Sequence, residues 1–313
     1  MPVITALTAA DEQLPHIDRL RAQATVHQAV DDDSLARHLP DSDILLVTDF
    51  RTDALQQVWP TAEKLQWVHA TSAGVDQLLF PALRASDVVL TNARGFFDRS
   101  IAEYVLGVIL AFAKDTRGNI IYQQQHEWRH RDTETISHKQ VLVVGAGSIG
   151  REIGSLCRAV GMRVSGVART ARNGDGVFDR IHATDTLAEH LPEADYVVIA
   201  APLTASTRGL FNDEMFAAMQ PNARLINIGR GPIIDTDALM RALDRGRLAG
   251  AALDVFEQEP LPAAHPLWGR TDVLMSAHMA GDFIGWREAL IDQFLDNLAR
   301  WLYGESLFNI VNK

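Results

Sequence analysis

The stretch His138-Lys-Gln-Val-Leu-Val-Val-Gly-Ala-Gly-Ser-Ile-Gly150, followed on through Arg172, decides the fold. Gln140 to Val144 is a short apolar run rich in valine, which suits a strand buried on both faces. Gly145, Gly147 and Gly150 then fit G-x-G-x-x-G, and Arg151 to Val160 reads as a helix ended by Gly161. In such a turn the first glycine permits the tight bend and the second lets backbone approach a pyrophosphate. The third lets helix pack close to strand. A glycine pattern alone is weak. This one has a strand before it, a helix after it and a second apolar strand, Met162 to Ala168, behind that. The spacing predicts a dinucleotide site whose loop is Gly145, Gly147, Ser148, Ile149 and Gly150.

The end of the second strand narrows the cofactor. An NAD site usually places Asp or Glu there to bond the ribose 2′-hydroxyl. Here the position holds Ala168, followed by Arg169, Thr170 and Arg172, and the first acid after the strand is Asp175. Two guanidiniums and a hydroxyl suit a 2′-phosphate, so NADP(H) is expected to be preferred, with NAD(H) possible.

At 313 residues the chain suggests about two domains. With 47% hydrophobic and 22% charged residues it can bury full cores. A formal charge of −11 and a pI near 5.4 argue against nucleic acid or an anionic membrane as partner. The single cysteine, Cys157, excludes an intrachain disulfide framework and is expected to pack in the core. The first residues lack the basic segment of a signal peptide, and the longest apolar stretch, near Tyr104 to Ala113, is too short to span a bilayer. A soluble, cytoplasmic protein is expected.

Before the glycine loop, strand candidates are Val3 to Leu7, Ile44 to Thr48, Leu65 to His69 and Val88 to Asn92. Periodic polar stretches such as Leu14 to Gln23 and Asp53 to Trp59 lie between them. This alternation predicts a small parallel α/β domain. The acidic run Asp31 to Asp33 reads as a solvated loop or helix start. Ser100-Ile-Ala-Glu103 has the form of a capping box opening a long helix, with Ile101, Val105, Val108, Ile109 and Phe112 on one face. That helix is expected to connect the domains, and the polar segment Gln123 to His138 to follow it as an excursion.

Within the excursion, His126-Glu-Trp-Arg-His130 matches the H-E-x-x-H of zinc peptidase helices. Its flanks are polar and charged and no third ligand stands nearby, so no metal site is expected. After the loop, strands are expected at Tyr196 to Ala200, Arg224 to Ile228, Ala251 to Val255 and Val273 to Ala277, with a helix from Thr236 to Arg245 stopped by Gly246. The tail from Trp286 to Tyr303 is amphipathic, with Leu290, Ile291, Phe294, Leu295, Leu298 and Leu302 on one side, and could return to cover the first domain.

Three further candidate sites lie just beyond strand ends, where ligands bind in open α/β sheets. Asn227-Ile-Gly-Arg-Gly231 sets an arginine between glycines, well placed to hold a carboxylate. Asp254-Val-Phe-Glu-Gln-Glu259-Pro is a carboxylate cluster, and Ser276-Ala-His278-Met-Ala-Gly281 brings a single histidine. Together they supply what hydride transfer to a 2-oxo acid needs: an anchor, a proton donor and a carboxylate that raises the donor's pKa.

The chain resembles the D-isomer-specific 2-hydroxyacid dehydrogenases over essentially its full length. The resemblance rests on Gly145 to Gly150, Asn227 to Gly231, Leu253-Asp-Val-Phe-Glu-Gln-Glu-Pro-Leu-Pro262 and Ala277-His-Met-Ala-Gly281, four motifs in order. It implies that Arg230 binds substrate, that His278 is the acid/base with Glu259 as partner, and that Asp254 lies near the nicotinamide. By the same likeness Ala73-Gly74-Val75-Asp76 is the loop whose backbone amides hold the substrate carboxylate. Ala201, Pro202, Ile228, Gly229 and Gly281 would line the cofactor cleft, as would the Ser100 helix start.

The implied fold is two Rossmann-like domains joined by hinge helices. A flavodoxin-like substrate (lid) domain, residues 1–97 plus 284–313, would join a doubly wound dinucleotide-binding domain, residues 98–283. A homodimer embraced by the excursion is implied as well. Glu259 stands where relatives acting on formate carry glutamine, and the regulatory domain of many 3-phosphoglycerate dehydrogenases is not expected. Gly281 to Trp286 resembles a subgroup of broad 2-ketoacid reductases, glyoxylate/hydroxypyruvate reductases among them.

The expected activity is reversible reduction of small 2-oxo acids to (R)-2-hydroxy acids by NADPH. The alternatives are a dinucleotide-sensing corepressor and an NAD-linked 3-phosphoglycerate dehydrogenase. Phe96, Phe97, Trp128 and Trp286 are open candidates for shaping specificity.

Overall fold

Short apolar runs become strands whose helices return over both faces. The computed structural model describes residues 1–49 and 52–313. It begins with β1 (Val3–Leu7), α1 (Ile17–Arg21), β2 (Thr25–Ala29), α2 (Asp32–His38), β3 (Ile44–Val47), α3 (Thr52–Val58), β4 (Trp67–Ala70), α4 (Pro81–Ala85) and β5 (Val89–Asn92). These strands form one parallel sheet in the order β2-β1-β3-β4-β5, the flavodoxin-like doubly wound order.

The second part of the chain carries α5 (Asp98–Ala113), α6 (Thr116–Gln124), β6 (Gln140–Val144), α7 (Ser148–Ala159), β7 (Arg163–Ala168), β8 (Arg172–Asn173) and β9 (Arg180–Ala183). It continues with α8 (Leu187–His190), β10 (Tyr196–Ile199), α9 (Asp213–Ala218), β11 (Arg224–Asn227), α10 (Thr236–Asp244), β12 (Gly250–Leu253) and β13 (Val273–Met275). The last helix is α11 (Trp286–Leu302). Two units result: Met1–Phe96 with Phe283–Lys313, and Phe97–Asp282.

In the first unit strand residues alternate between two cores. Leu7, Leu45, Val47 and Val68 pack with Leu35, Leu55 and Leu83 on one face. Ile4, Ala6, Ile44, Leu46 and Trp67 pack on the other against Ile291, Phe294, Leu295 and Leu298 of α11. Leu302, at the end of that helix, stays 42% exposed.

The second unit's sheet runs β13-β12-β11-β10-β6-β7-β9-β8, parallel except for β8. Reading from β9 to β12, this is the dinucleotide-binding order 3-2-1-4-5-6, with β13 added at one edge and β8 at the other. The order reverses between β6 and β10, so the ligand crevice opens beyond those two strand ends.

Several expectations need correction. The long helix α5 starts at Asp98, with Phe97 at its N-cap and no side-chain cap, so Ser100 and Glu103 do not form a capping box. Both side chains are taken elsewhere: Ser100 Oγ donates to the remote Ala280 carbonyl at 3.5 Å, and Glu103 accepts from Arg99 Nε, one turn back on the same helix, at 2.9 Å. The strands β2 and β9 carry no strand signal in the sequence, because Thr25-Val-His-Gln-Ala and Arg180-Ile-His-Ala bury little of one face and show no apolar run. His126 to His130 is not helical and His126 has φ 59°, so the one-turn spacing that zinc chelation requires is missing. Cys157, as expected, packs in the core, among residues of α5, β6 and β7, its thiol pushed up to about 12 by burial. Among the described residues no helix is long and apolar enough to cross a membrane.

Candidate active site

The three loop glycines answer to different demands. Gly145 ends β6 with φ 113°, and a Cβ there would lie 2.6 Å from the carbonyl carbon of Ala200, so the loops after β6 and β10 abut. A Cβ on Gly150 would lie 1.9 Å from the Gly145 oxygen, which is the close helix–strand contact. Gly147 is the N-cap of α7, and a Cβ there would meet nothing within 4 Å. The protein itself therefore leaves space above Gly147, at the N-terminus of a 12-residue helix whose Ser148 and Ile149 amides open toward it. Room, orphan amides and helix dipole together fit the pyrophosphate of a dinucleotide.

Ala201, buried at the end of β10, leads into a turn that Thr207 closes. The Thr207 hydroxyl donates to the Pro202 carbonyl at 2.7 Å and accepts from the Thr204 N–H at 2.8 Å. At the other end of the cleft, Arg169, Thr170 and Arg172 are exposed just past β7. Arg172 donates back to the Ala146 carbonyl at 3.4 Å, which aims it over the glycine loop. Asp175 is engaged elsewhere. It pairs with Arg151 and accepts from the Val177 and Phe178 N–H groups at 3.2 Å each, and the Arg151 hydrogen bond first among these holds its carboxyl below the usual range.

The glycines flanking Arg230 are explained by wedging. A Cβ on Gly229 would lie 2.8 Å from the Ala201 oxygen, and one on Gly231 would lie 1.9 Å from the Phe256 carbonyl carbon. The Arg230 loop thus slots between the loops after β10 and β12. Asn227, fully buried at the end of β11, ties it: its side chain accepts from the Gly229 N–H at 3.0 Å and donates to the Arg230 carbonyl at 3.1 Å. Ile228 is buried beside it, and the Arg230 guanidinium donates to the Gly229 carbonyl at 2.8 Å.

His278 and Glu259 meet. His278 Nδ1 lies 2.7 Å from Glu259 Oε2, and the other carboxylate oxygen accepts from the Phe256 N–H at 2.8 Å. The Glu259 hydrogen bond raises the His278 pKa, opposed by partial burial and by the Arg230 charge. For Glu259 burial pushes upward, but the bonds from His278 and Phe256 outweigh it and leave the carboxyl low. Nδ1–H therefore faces the carboxylate and Nε2 is the outward nitrogen.

His278 itself has φ 51°, a left-handed backbone that a non-glycine residue adopts only when its surroundings impose it. Asp254 imposes it. Its carbonyl accepts from the His278 N–H at 2.8 Å, while its carboxylate accepts from the Met279 N–H at 2.9 Å and the Ala280 N–H at 3.0 Å. Behind this turn a Cβ on Gly281 would lie 2.9 Å from the Phe97 ring.

In the first unit, the loop after β4 has three successive carbonyls tied down. Ser72 O accepts from the Ala93 N–H at 2.9 Å, Ala73 O from the Asn92 side chain at 2.6 Å, and Gly74 O from the Ser72 hydroxyl at 2.5 Å. Among the described residues no hydrogen bond engages the amides of Ala73, Gly74 and Val75.

Arg230, Glu259 and His278 thus gather on neighbouring loops of one sheet, with the Gly145–Gly150 turn at the switch point of that sheet. Sequence reasoning passed over Asn227, Ser276 and Tyr104 as individual actors. Asn227 offered the one available signal, a polar residue closing an apolar strand. Nothing local marks Tyr104, whose partner lies 172 residues away.

Comparison with known proteins agrees with this geometry. Residues 106–280 match the model of the D-isomer specific 2-hydroxyacid dehydrogenase NAD-binding domain. The chain is 33% identical over 290 residues to a glyoxylate reductase of Thermofilum pendens, covering 90% of this chain and 84% of that one. It is 31% identical over 255 residues to glyoxylate/hydroxypyruvate reductase A of Serratia proteamaculans, covering 80% of each. A solved structure of NADPH-dependent glyoxylate/hydroxypyruvate reductase from Sinorhizobium meliloti, in complex with NADP and sulfate, matches with TM-score 0.84 at 28% identity over 99% of this chain and 98% of that one. The protein is an oxidoreductase that binds a nicotinamide dinucleotide, and the chain belongs to the D-isomer-specific 2-hydroxyacid dehydrogenase family.

Proposed function

We propose that this enzyme reduces small 2-oxo acids to (R)-2-hydroxy acids, reversibly, and prefers NADPH to NADH. The observation that carries the reading is the 2.7 Å contact between His278 Nδ1 and Glu259, on strand-end loops beside Arg230. A bound reduced nicotinamide supplies the hydride. Arg230 binds the substrate carboxylate and polarises the adjacent carbonyl. His278 Nε2 donates a proton to the carbonyl oxygen while Glu259 stabilises the imidazolium that precedes transfer; a positioned acid of this kind contributes typically ~10²- to 10⁴-fold. The Ala73–Val75 amides are assigned to substrate binding, which makes the first unit the substrate domain and Phe97–Asp282 the dinucleotide domain.

The NADPH preference is supported by Asp175, which Arg151 and two backbone amides already occupy, leaving Arg169, Thr170 and Arg172 at the adenosine end. The Sinorhizobium meliloti relative is NADPH-dependent. A homodimer is assigned through the excursion after α6, where Trp128 is fully exposed. The test of function is the rate at 340 nm with glyoxylate, hydroxypyruvate, pyruvate and a longer branched 2-oxo acid, each with NADPH and then NADH. Turnover favouring NADPH is expected; binding of NADPH without turnover of any of the four acids would overturn the enzymatic reading.

A further inference from the structure

Asp254, which grips the His278 turn, is itself held from behind. Ser276 Oγ lies 2.5 Å from Asp254 Oδ1, and Tyr104 Oη lies 2.6 Å from Ser276 Oγ. Tyr104 comes from the middle of α5 and Ser276 from the end of β13, so two remote elements converge on one buried carboxylate. The direction of the bonds follows from the inventory of protons. An ionised carboxylate only accepts, so the single Ser276 proton points at Asp254. The Tyr104 proton must then point at Ser276. Burial first, and with a smaller contribution the Asp254 charge, outweigh the opposing Ser276 hydrogen bond and push the Tyr104 phenol up, keeping that proton in place.

The carboxylate oxygen that takes the Ser276 proton also takes the Met279 N–H, and its twin takes the Ala280 N–H. Rotation of the Asp254 carboxylate would release the two residues after His278 and with them the left-handed backbone at His278.

We propose that Tyr104 and Ser276 are positioning residues for the reaction, a directed hydrogen-bond relay that fixes the Asp254 carboxylate and through it the orientation of His278. The proposal rests on the reading of His278 as the acid/base. Tyr104 and Ser276 are spent on each other and on Asp254 and are assigned no contact with substrate or cofactor, so the relay is expected to act on the proton-transfer step rather than on binding.

The test uses Tyr104→Phe, Ser276→Ala, the double variant and Ser276→Thr in the intact enzyme, with His278→Ala alongside. Ser276→Ala is expected to lower kcat for 2-oxo acid reduction on the order of tenfold, and Tyr104→Phe less, since Ser276 can still donate to Asp254. KM and the NADPH dissociation constant stay near the parent values. The limb at which kcat/KM falls with rising pH moves to lower pH, because the loosened turn weakens the His278–Glu259 contact. The double variant is no worse than Ser276→Ala, since both act through one chain. Ser276→Thr, which keeps the hydroxyl, restores kcat. A drop in melting temperature with kcat and the pH limb unmoved would overturn the relay, as would additive losses in the double variant or a change in KM alone. If His278→Ala retains full activity, the acid/base assignment has failed rather than the relay.

Discussion

Replacing Glu259 with Gln removes a charge while keeping the shape, and the structure specifies what should follow. The carboxylate uses its two oxygens separately, one for His278 Nδ1–H and one for the Phe256 N–H. A carboxamide has one acceptor oxygen, so one bond is lost and the surviving one is no longer charge-assisted. A hydrogen bond to a charged group is worth about 1.5–3 kcal/mol. The two side chains are 49% and 35% exposed, so solvent screening roughly halves that figure. The remaining ~1 kcal/mol corresponds to a fall of somewhat under one unit in the His278 pKa.

The sign is fixed by the reaction: reduction needs protonated His278, so activity is present below its folded pKa and fades above it. In Glu259→Gln the falling limb of the kcat/KM profile should move down by roughly one pH unit, costing about five- to tenfold above the limb and little below it. Oxidation of the hydroxy acid, which needs neutral His278, should extend correspondingly further into acid. The assay is the 340 nm rate in both directions across pH. A limb that stays in place while kcat falls uniformly would refute the electrostatic role of Glu259.

Arg169→Ala with Arg172→Ala should raise the KM for NADPH by roughly 10- to 100-fold and change that for NADH little, as expected for two lost phosphate contacts; equal losses for both cofactors would contradict the assignment. Gly147→Ala should leave the melting temperature within a few degrees yet weaken dinucleotide binding, since only a ligand would meet its Cβ, whereas Gly150→Ala should destabilise the fold by ~2 kcal/mol or more through the 1.9 Å clash with Gly145; calorimetry and cofactor titration separate the two.

His69, fully buried beside Thr91 and Phe294, is pushed down to about 3 by burial. A lowered histidine means that the unfolded chain binds the proton first, so stability is intact above about pH 6.5 and falls below it. The loss by pH 5 is about 2 kcal/mol. Urea unfolding at pH 7 and pH 5 should show that difference in the parent and a smaller one in His69→Asn.

Much of this architecture was legible because buried parallel strands must be apolar on both faces. Runs such as Gln140 to Val144 and Ile44 to Val47 therefore announce themselves, and a glycine triplet after one of them has few other uses. The edge strand β2 and the penultimate strand β9 are not legible because each leaves most of its residues partly exposed, so they read as loop. The start of α5 differs from the capping-box pattern because Ser100 has a remote partner, Ala280, that no local window contains, while Glu103 pairs with Arg99 along the helix. The candidate site was legible at the level of residue types, since an arginine between glycines and a histidine after a strand have no place in a core. What could not be read was how those residues are held. Asn227 clamps the Arg230 loop, and Asp254 imposes a left-handed backbone on His278 through bonds spanning 24 to 26 residues. The reason Gly231 must be glycine, the Phe256 backbone against it, lies 25 positions along the chain.

The most direct measurement is kcat for 2-oxo acid reduction in His278→Ala with NADPH, set beside the NADPH dissociation constant of the same variant. The account predicts a loss of about two to four orders of magnitude in kcat with cofactor affinity unchanged. Full turnover in that variant would contradict it.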